Sequence, residues 1–506
     1  MFNETTIISA VPGSGKTTFM INEARRLIIE EGYRPEDIAF ITFTKNAAET
    51  AKERMAEKLS DGMGGKYSKK LSGFSTLHSM AFNALGLNRD DMMAGDGLKV
   101  FNALYGYKYY PKDNAALAHG GCPVHHDPRT IKQDNVNLLI YLAGLYRNNK
   151  DTYHEVMGSP NMKRSGLGNE AVTTYMTRWE LFKKGRALNK YNKTVDVKDM
   201  IGLIDGEFNG YEFRGRLYDF TDILEEYVEK GLTEYDRRVV FIDEAQDITT
   251  LQWKVIMYAF KHVERAYIVA DPKQNMFKWA GSDVNMFLNM KATYTHTLYK
   301  NYRCRKNIID FVDDRIISRI SAVDGLSMPM EAVHEGGEVH TIFSMNEFLQ
   351  KEGPDSIANP RNKIMLLATT SSIATRYRDW CQQWGIPYVW MGTPVFSNKD
   401  KQEYREYGCV PYTWDADKRN AAYKYHTAGT LMAEPTVYIN TMHTVKGDEA
   451  DIVVINTELS KVGYEEFTYD PYQTDLVFYV GCTRAKHKLY IYHDVTRSTG
   501  RMYTRL

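Results

Sequence analysis

Residues 10–18 read Ala10-Val11-Pro12-Gly13-Ser14-Gly15-Lys16-Thr17-Thr18, and this stretch decides the fold. An apolar run, Thr5–Ala10, enters it, and Phe19–Glu30 leaves it with helical spacing. Backbone N–H groups of a glycine loop set between strand and helix point inward and cradle phosphates. Lys16 then reaches the β- and γ-phosphates, and the Thr17 hydroxyl sits on Mg²⁺. The loop departs from the strict pattern once, with Ala10 where a glycine is usual.

The same grammar recurs along the chain. Ile38–Phe43 precedes a helical pattern over Asn46–Leu59, Val239–Ile242 runs into Asp243, and Tyr267–Ala270 runs into Asp271. Later runs are Ile364–Ala368, Val437–Ile439, Ile452–Ile455 and Leu489–Tyr492. Apolar runs rich in β-branched residues, alternating with helices, predict parallel sheets covered on both faces. They fall into two sets, one before about residue 290 and one after about 295, which predicts two α/β lobes. Residues 90–195 carry helical pieces such as Asn137–Tyr146 among Tyr, Gly, Pro and Asn clusters, and read as an inserted, mostly helical subdomain. Residues 396–436 are polar and Tyr-rich, with no pattern that assigns them.

A second chemical signal is Val239-Val240-Phe241-Ile242-Asp243-Glu244-Ala245-Gln246-Asp247. Adjacent carboxylates at a strand end suit Mg²⁺ binding by Asp243 and place Glu244 as general base for an attacking water. Alone, such a pair is an ordinary exposed strand end; behind a phosphate loop it is the other half of a nucleotide hydrolase. Arg303 and Arg484 are candidates to stabilise charge on a transferred phosphoryl group. Nothing in the residues themselves separates either from a surface arginine.

Composition narrows the class. The 506 residues hold equal numbers of basic and acidic side chains, which excludes binding through bulk positive charge. Thirty-five tyrosines help to make the chain 12% aromatic, a resource for stacking on bases as well as for cores. No apolar run reaches the ~18 residues of a membrane helix, and no secretory signal is visible, so an intracellular place is expected. Five scattered cysteines fit a reducing compartment. Cys122-Pro123-Val124-His125-His126 has metal-ligand residue types but lacks a second pair at zinc spacing. Residues 484–506 carry six Lys/Arg against one Asp, a candidate contact for a phosphate backbone.

Further motifs carry a family resemblance. Thr42-Phe43-Thr44-Lys45-Asn46-Ala47-Ala48-Glu49 is similar to the TFTNKAA motif of UvrD/Rep/PcrA-type superfamily 1A DNA helicases. Phe74-Ser75-Thr76-Leu77-His78-Ser79 looks like their TFH motif, and Asp219-Phe220-Thr221-Asp222-Ile223-Leu224 like DFDDLL. Asp271–Gly281 (DPKQNMFKWAG) resembles GDxxQSIYxWRGA. Asn301-Tyr302-Arg303, Thr441–Glu449 (TMHTVKGDE) and Tyr479–Lys486 (YVGCTRAK) follow in family order, so the resemblance spans residues 10 to 486.

The resemblance implies an α/β fold of two RecA-like P-loop NTPase motor domains with a mostly helical insertion in the first. The expected boundaries are 1–90 and 196–290 for the first motor, 91–195 for the insertion and 291–506 for the second motor. It implies ATP and Mg²⁺ as cofactors, with the nucleotide between the lobes. Lys16, Thr17, Asp243 and Glu244 keep the roles given above. Gln274 would sense the γ-phosphate, and Arg303 and Arg484 would be arginine fingers. Tyr302 would stack on the base, with Gly447 and Glu449 at the ribose. Phe43, Phe277 and Trp279 would pocket bases of single-stranded DNA, with Thr44, Asn46, Thr76, His78, Thr441 and His443 along the strand.

The implied activity is ATP-dependent 3′→5′ translocation on single-stranded DNA with duplex unwinding. The implied partners are single-stranded DNA, single/double-strand junctions, and replication or repair proteins; a monomer without membrane contact is expected. An alternative is a DNA-stimulated ATPase that remodels protein–DNA complexes without strand separation. A non-hydrolysing DNA-binding protein is disfavoured by the intact Lys16, Asp243, Glu244, Arg303 and Arg484. RNA stays open as a track.

Several positions depart from the family. No glutamine motif precedes the phosphate loop, and Thr18 and Ala280 stand where arginines are usual. Asp448 replaces an apolar residue. Only about residues 396–436 remain where the family carries its large 2B subdomain. The compact build resembles that of accessory helicases encoded by viruses.

Overall fold

Six parallel strands form the first sheet, in the spatial order Phe74–Thr76, Ile38–Thr42, Val239–Ile242, Arg265–Ala270, Glu4–Ala10 and Tyr294–Leu298. The computed structural model describes residues 2–60, 70–93, 95–108, 135–159, 162–163, 167–189, 191–201, 216–234, 236–326, 328–495 and 500–506. The Cys122–His126 cluster lies outside them, and among the described residues no group of three or more His, Cys, Asp or Glu side chains gathers that could hold a metal ion. No helix among them is long and apolar enough to cross a membrane.

The central strands are apolar because both faces are covered. Val239, Val240, Phe241 and Ile242 are all fully buried, as a parallel sheet under two helical layers requires. Register aligns the strand ends: Ile41 lies opposite Ile242, and Ser9 opposite Ala270. The loops after these strands therefore emerge on one edge, where parallel α/β sheets bind ligands. The strand Tyr294–Leu298 was not foreseen. It is an exposed edge strand of sequence YTHTL and so lacks an apolar run.

Helix Lys16–Glu30 starts three residues earlier than its apolar spacing predicts. Gly15 in the left-handed region (φ 78°) turns the chain straight from loop into helix. Met20, Ile21, Ala24 and Leu27 form its buried face.

The described residues between 95 and 201 are mostly helical, with helices Gly95–Tyr105, Val136–Asn148, Lys150–Gly158 and Asn169–Lys183. Phe101 centres their core, with Tyr107, Tyr175, Trp179 and Phe182 within 5.6 Å between ring centroids. A charge network joins this core to the helix Phe220–Glu229. Arg147 reaches Asp219 at 2.9 Å, and Lys183 reaches Asp219 at 3.2 Å and Asp222 at 2.5 Å. Trp179 Nε1 donates to Asp219 at 2.8 Å. Burial pushes the Asp219 carboxyl up, but Lys183 and Arg147 outweigh it and hold it below the usual range.

The chain divides into two compact units. Among the described residues, the first holds 2–10 and those between 15 and 298; the second holds 11–14 and those between 299 and 506. The second unit has a seven-stranded sheet in the order Glu338–Ile342, Ala485–Tyr492, Ala450–Asn456, Ile364–Ala368, Val437–Thr441, Tyr388–Trp390 and Thr393–Pro394. Only the last pair is antiparallel.

Residues 396–436, which had no assignable pattern, contain the helices Asn398–Tyr407 and Ala416–Thr427. Ser397 and Asp415 cap them. Phe396, Val410, Trp414, Ala422, Tyr425 and Leu431 join the core under the second sheet.

Several basic side chains from residue 484 onward are engaged within the second unit. Lys486 pairs with Glu449, Lys488 with Glu352 and Arg505 with Asp475, while Arg484 is buried.

Candidate nucleotide and nucleic-acid sites

The edge of the first sheet gathers the phosphate-loop and carboxylate residues. Lys16 Nζ lies 3.8 Å from Glu244 Oε1, and Thr17 Oγ1 donates to Asp243 Oδ2 at 3.5 Å. Asp243 is held by the backbone N–H of Glu244 at 2.9 Å. Glu244 itself sits in the left-handed region (φ 54°, ψ 41°), a strained conformation for a non-glycine residue that functional sites tolerate.

Burial raises the Asp243 carboxyl to about 7; the Glu244 charge adds to this, and Lys16, the Glu244 N–H and Thr17 oppose it. A buried carboxylate beside a second one is an electrostatic demand for a cation. Together with the Thr17 hydroxyl it forms an all-oxygen donor set, which fits Mg²⁺.

From Glu244 a hydrogen-bonded line leads to the next strand end. Gln246 donates its amide to Glu244 and accepts from the backbone N–H of Asp271 at 3.0 Å. Gln274 Nε2 then donates to Asp271 Oδ2 at 2.8 Å. The line joins Lys16, Glu244, Gln246, Asp271 and Gln274. Gln246 was not singled out from sequence, because its partner is 25 residues away. The only hint was its place inside DEAQD.

Aromatic side chains stand on the same unit. Phe43, just beyond its strand and half exposed, stacks on Phe277 with centroids 6.1 Å apart. Phe277 meets Trp279 edge-on at 6.3 Å. Thr44 Oγ1 accepts from Ala47 N–H at the start of helix Lys45–Ser60, on whose exposed first turn Asn46 lies. Thr76 caps the helix Leu77–Ala84 by accepting from Ser79 N–H. His78 packs edge-on against Phe220 at 5.9 Å, and burial lowers its pKa. A small cavity of about 30 Å³ is lined by Phe43, Thr76, His78 and Asp243 among others. It sets the strand-end aromatics beside the carboxylate site.

The second unit collects its motifs around Glu449 and Thr483. Arg303 Nε donates to Glu449 at 2.9 Å and its Nη1 to the Thr483 carbonyl at 3.2 Å. Lys486 reaches the other Glu449 oxygen at 2.6 Å. Burial raises the Glu449 carboxyl, but Lys486 and Arg303 overcome it and bring it down to about 2. Arg484, 1% exposed, donates to the carbonyls of Val480 and Asp448 and to Thr483 Oγ1. Tyr302 is exposed and Gly447 has a positive φ. Thr441 is buried at its strand end, and His443 is half-buried in the turn that follows. Thr483 and Lys486 organise this cluster from within Tyr479–Lys486, and no sequence signal marks them.

Fold and site together define an α/β protein with parallel sheets and a phosphate-loop carboxylate pair at a strand edge. The family profile of the UvrD/REP helicase N-terminal domain matches residues 1–295, and the chain belongs to that family.

Its relatives include a probable DNA helicase II homolog of Mycoplasma capricolum subsp. capricolum, 22% identical over 319 residues. That match takes in 60% of this chain and 37% of the relative. The ATP-dependent DNA helicases PcrA of Leuconostoc citreum and Bacillus subtilis are 26% and 24% identical, each over 60% of this chain and 36% of the relative. The chain thus spans little more than a third of the length of these relatives.

Proposed function

We propose that this chain is an ATP-dependent DNA helicase and translocase moving 3′→5′ on single-stranded DNA. One observation carries it: the segment Asp271–Gly281 bears Gln274 on the hydrogen-bonded line from Glu244 and, three residues on, Phe277 in the aromatic row. A change at the γ-phosphate end of that line is thereby one short turn from the base-stacking surface. The names of the relatives, which include ATP-dependent DNA helicases, support the same reading.

In this mechanism Lys16 binds the β- and γ-phosphates and Glu244 takes the proton of the attacking water. Thr17 and Asp243 would hold Mg²⁺, which when bound would neutralise charge on the phosphates. Arg303 and Arg484 are assigned to the transferred phosphoryl group, Tyr302 to the base, and Gly447 and Glu449 to the ribose, by resemblance. Phe43, Phe277 and Trp279 grip bases without reading them, because stacking gains about 1–3 kcal/mol for any base. Thr44, Asn46, Thr76, His78, Thr441 and His443 line the strand. The units are assigned as two RecA-like motors, 1–90 with 196–290 and 291–506, with 91–195 inserted in the first.

The polarity rests on QNMFKWAG resembling the 3′→5′ branch of the family. The test is ATP hydrolysis with and without single-stranded DNA, together with unwinding of 3′- and 5′-tailed duplexes. Stimulated hydrolysis with unwinding of the 3′-tailed substrate is expected; unwinding of only the 5′-tailed substrate overturns the polarity. Stimulated hydrolysis without unwinding favours the second reading, a translocase that remodels protein–DNA complexes. The folding of residues 396–436 onto the second unit's own core motivates that reading.

A further inference from the structure

The turn that carries Trp279 is held by helix Val136–Asn148 and the adjoining Asn149. Tyr141, on helix Val136–Asn148, donates its hydroxyl to the Trp279 carbonyl at 2.7 Å. The two ring centroids lie 6.4 Å apart at an interplanar angle of 33°. Eight residues on, the buried Asn149 donates Nδ2 to the Gly281 carbonyl at 3.1 Å. Gly281 has φ +94°, and a Cβ there would meet Asn149 Cβ and Leu145 Cδ1 at 3.3 Å each. The turn therefore approaches the helices so tightly that a side chain at 281 would force its neighbours to give by a few tenths of an ångström, on a backbone conformation that side chains rarely adopt, and its carbonyls at 279 and 281 both have donors from them. Trp279 also packs on the core of the same helices. Lys278 adds a pair to Glu155 at 3.0 Å, but both are largely exposed, and such pairs contribute little.

We infer that Tyr141 is a positioning residue for Trp279, so that helix Val136–Asn148 sets how tightly single-stranded nucleic acid is held. The inference rests on the base-contacting role proposed for Trp279. Stacking requires the indole plane to be presented at a fixed height and tilt, and a three-residue turn has little rigidity of its own. Tyr141 supplies that rigidity through one hydroxyl bond and extends the row Phe43–Phe277–Trp279 by a fourth ring. Asn149 contributes to the same hold. It also caps helix Lys150–Gly158, accepting from Asp151 and Thr152 N–H, so its removal would disturb more than the turn.

The experiment titrates single-stranded oligothymidylate against ATP hydrolysis by the full chain and by Tyr141→Phe, Tyr141→Leu and Trp279→Ala. Loss of one hydrogen bond corresponds to about a 2- to 10-fold rise in the half-saturating oligonucleotide concentration for Tyr141→Phe. Its turnover at saturating oligonucleotide and its thermal midpoint should stay as in the parent. Tyr141→Leu, which also removes the ring, should shift half-saturation further, toward Trp279→Ala. If Trp279→Ala raises half-saturation while both Tyr141 variants leave it unchanged, the inference is overturned. It is equally overturned if the Tyr141 variants lower only the thermal midpoint and saturated turnover. If Trp279→Ala itself leaves half-saturation unchanged, or if oligonucleotide does not stimulate hydrolysis, the failure lies in the proposed function.

Discussion

Lys16 Nζ stands 3.8 Å from Glu244 Oε1, so the cation proposed to bind phosphate and the carboxylate proposed as general base face each other across the loop edge. Glu244 pairs with Lys16 and is oriented by Gln246. Replacing it by Gln removes the proton acceptor and keeps the shape. Hydrolysis should fall by about 10²–10⁴-fold, while binding of a fluorescent ATP analogue stays within a few-fold of the parent. Lys16→Ala should instead lose analogue binding. Undiminished DNA-stimulated hydrolysis in Glu244→Gln would remove it from the catalytic role.

Phe43 and Phe277 lie almost parallel, at 16°. Phe43→Ala removes one face of that pair from a half-exposed site, so little core packing is lost. A stacked base gains about 1–3 kcal/mol, and half-saturating single-stranded DNA should rise by roughly tenfold to a hundredfold. Fluorescence anisotropy of a labelled oligonucleotide reads this directly. Equal losses for oligothymidylate and oligoadenylate are expected, because the ring has no hydrogen-bonding group with which to tell them apart.

The Glu449 cluster makes a prediction in pH. Its folded carboxyl titrates at about 2, below the ordinary 4.5. The pairing with Arg303 and Lys486 thus stabilises the fold above about pH 4.5, and that contribution fades as pH falls toward 2. Urea midpoints of the parent and of Glu449→Gln should differ at pH 6, and the gap should shrink steadily between pH 4.5 and 2.5. A gap that is constant or widens on acidification contradicts the assignment.

What the sequence made legible was what repeats a simple physical rule. Val239–Ile242 reads as a strand because both its faces are buried, and GSGKT reads as a phosphate loop because glycine and lysine sit at a strand-to-helix turn. The helices of residues 396–436 stayed hidden for the opposite reason. In Asn398–Tyr407 only Lys401 is buried, so no apolar stripe marks it, and its start is signalled only by the Ser397–Asp400 capping box. Gln246, Thr483 and Tyr141 were silent because each acts through a backbone group or side chain distant in sequence. Tyr141 and Trp279 are 138 residues apart. Arg147 and Lys183 were invisible as a pair until the fold brought both to Asp219.

That last network yields a stability prediction. Lys183 and Asp222 are 2% and 3% exposed, and Lys183 pairs with three carboxylates at once, Glu180, Asp219 and Asp222. Truncating it to Ala leaves Asp219 and Asp222 facing each other with Arg147 as the remaining cation. Breaking a buried pair from one side costs about 3–5 kcal/mol, so the urea midpoint should drop sharply. The double change Lys183→Met with Asp222→Leu removes both charges together and should cost less than Lys183→Ala alone, because no uncompensated buried carboxylate remains at position 222. Asp219 keeps Arg147 and the Trp179 N–H in either variant. If the double variant is instead the less stable of the two, the ion pair is a net source of stability rather than a mutually dependent pair.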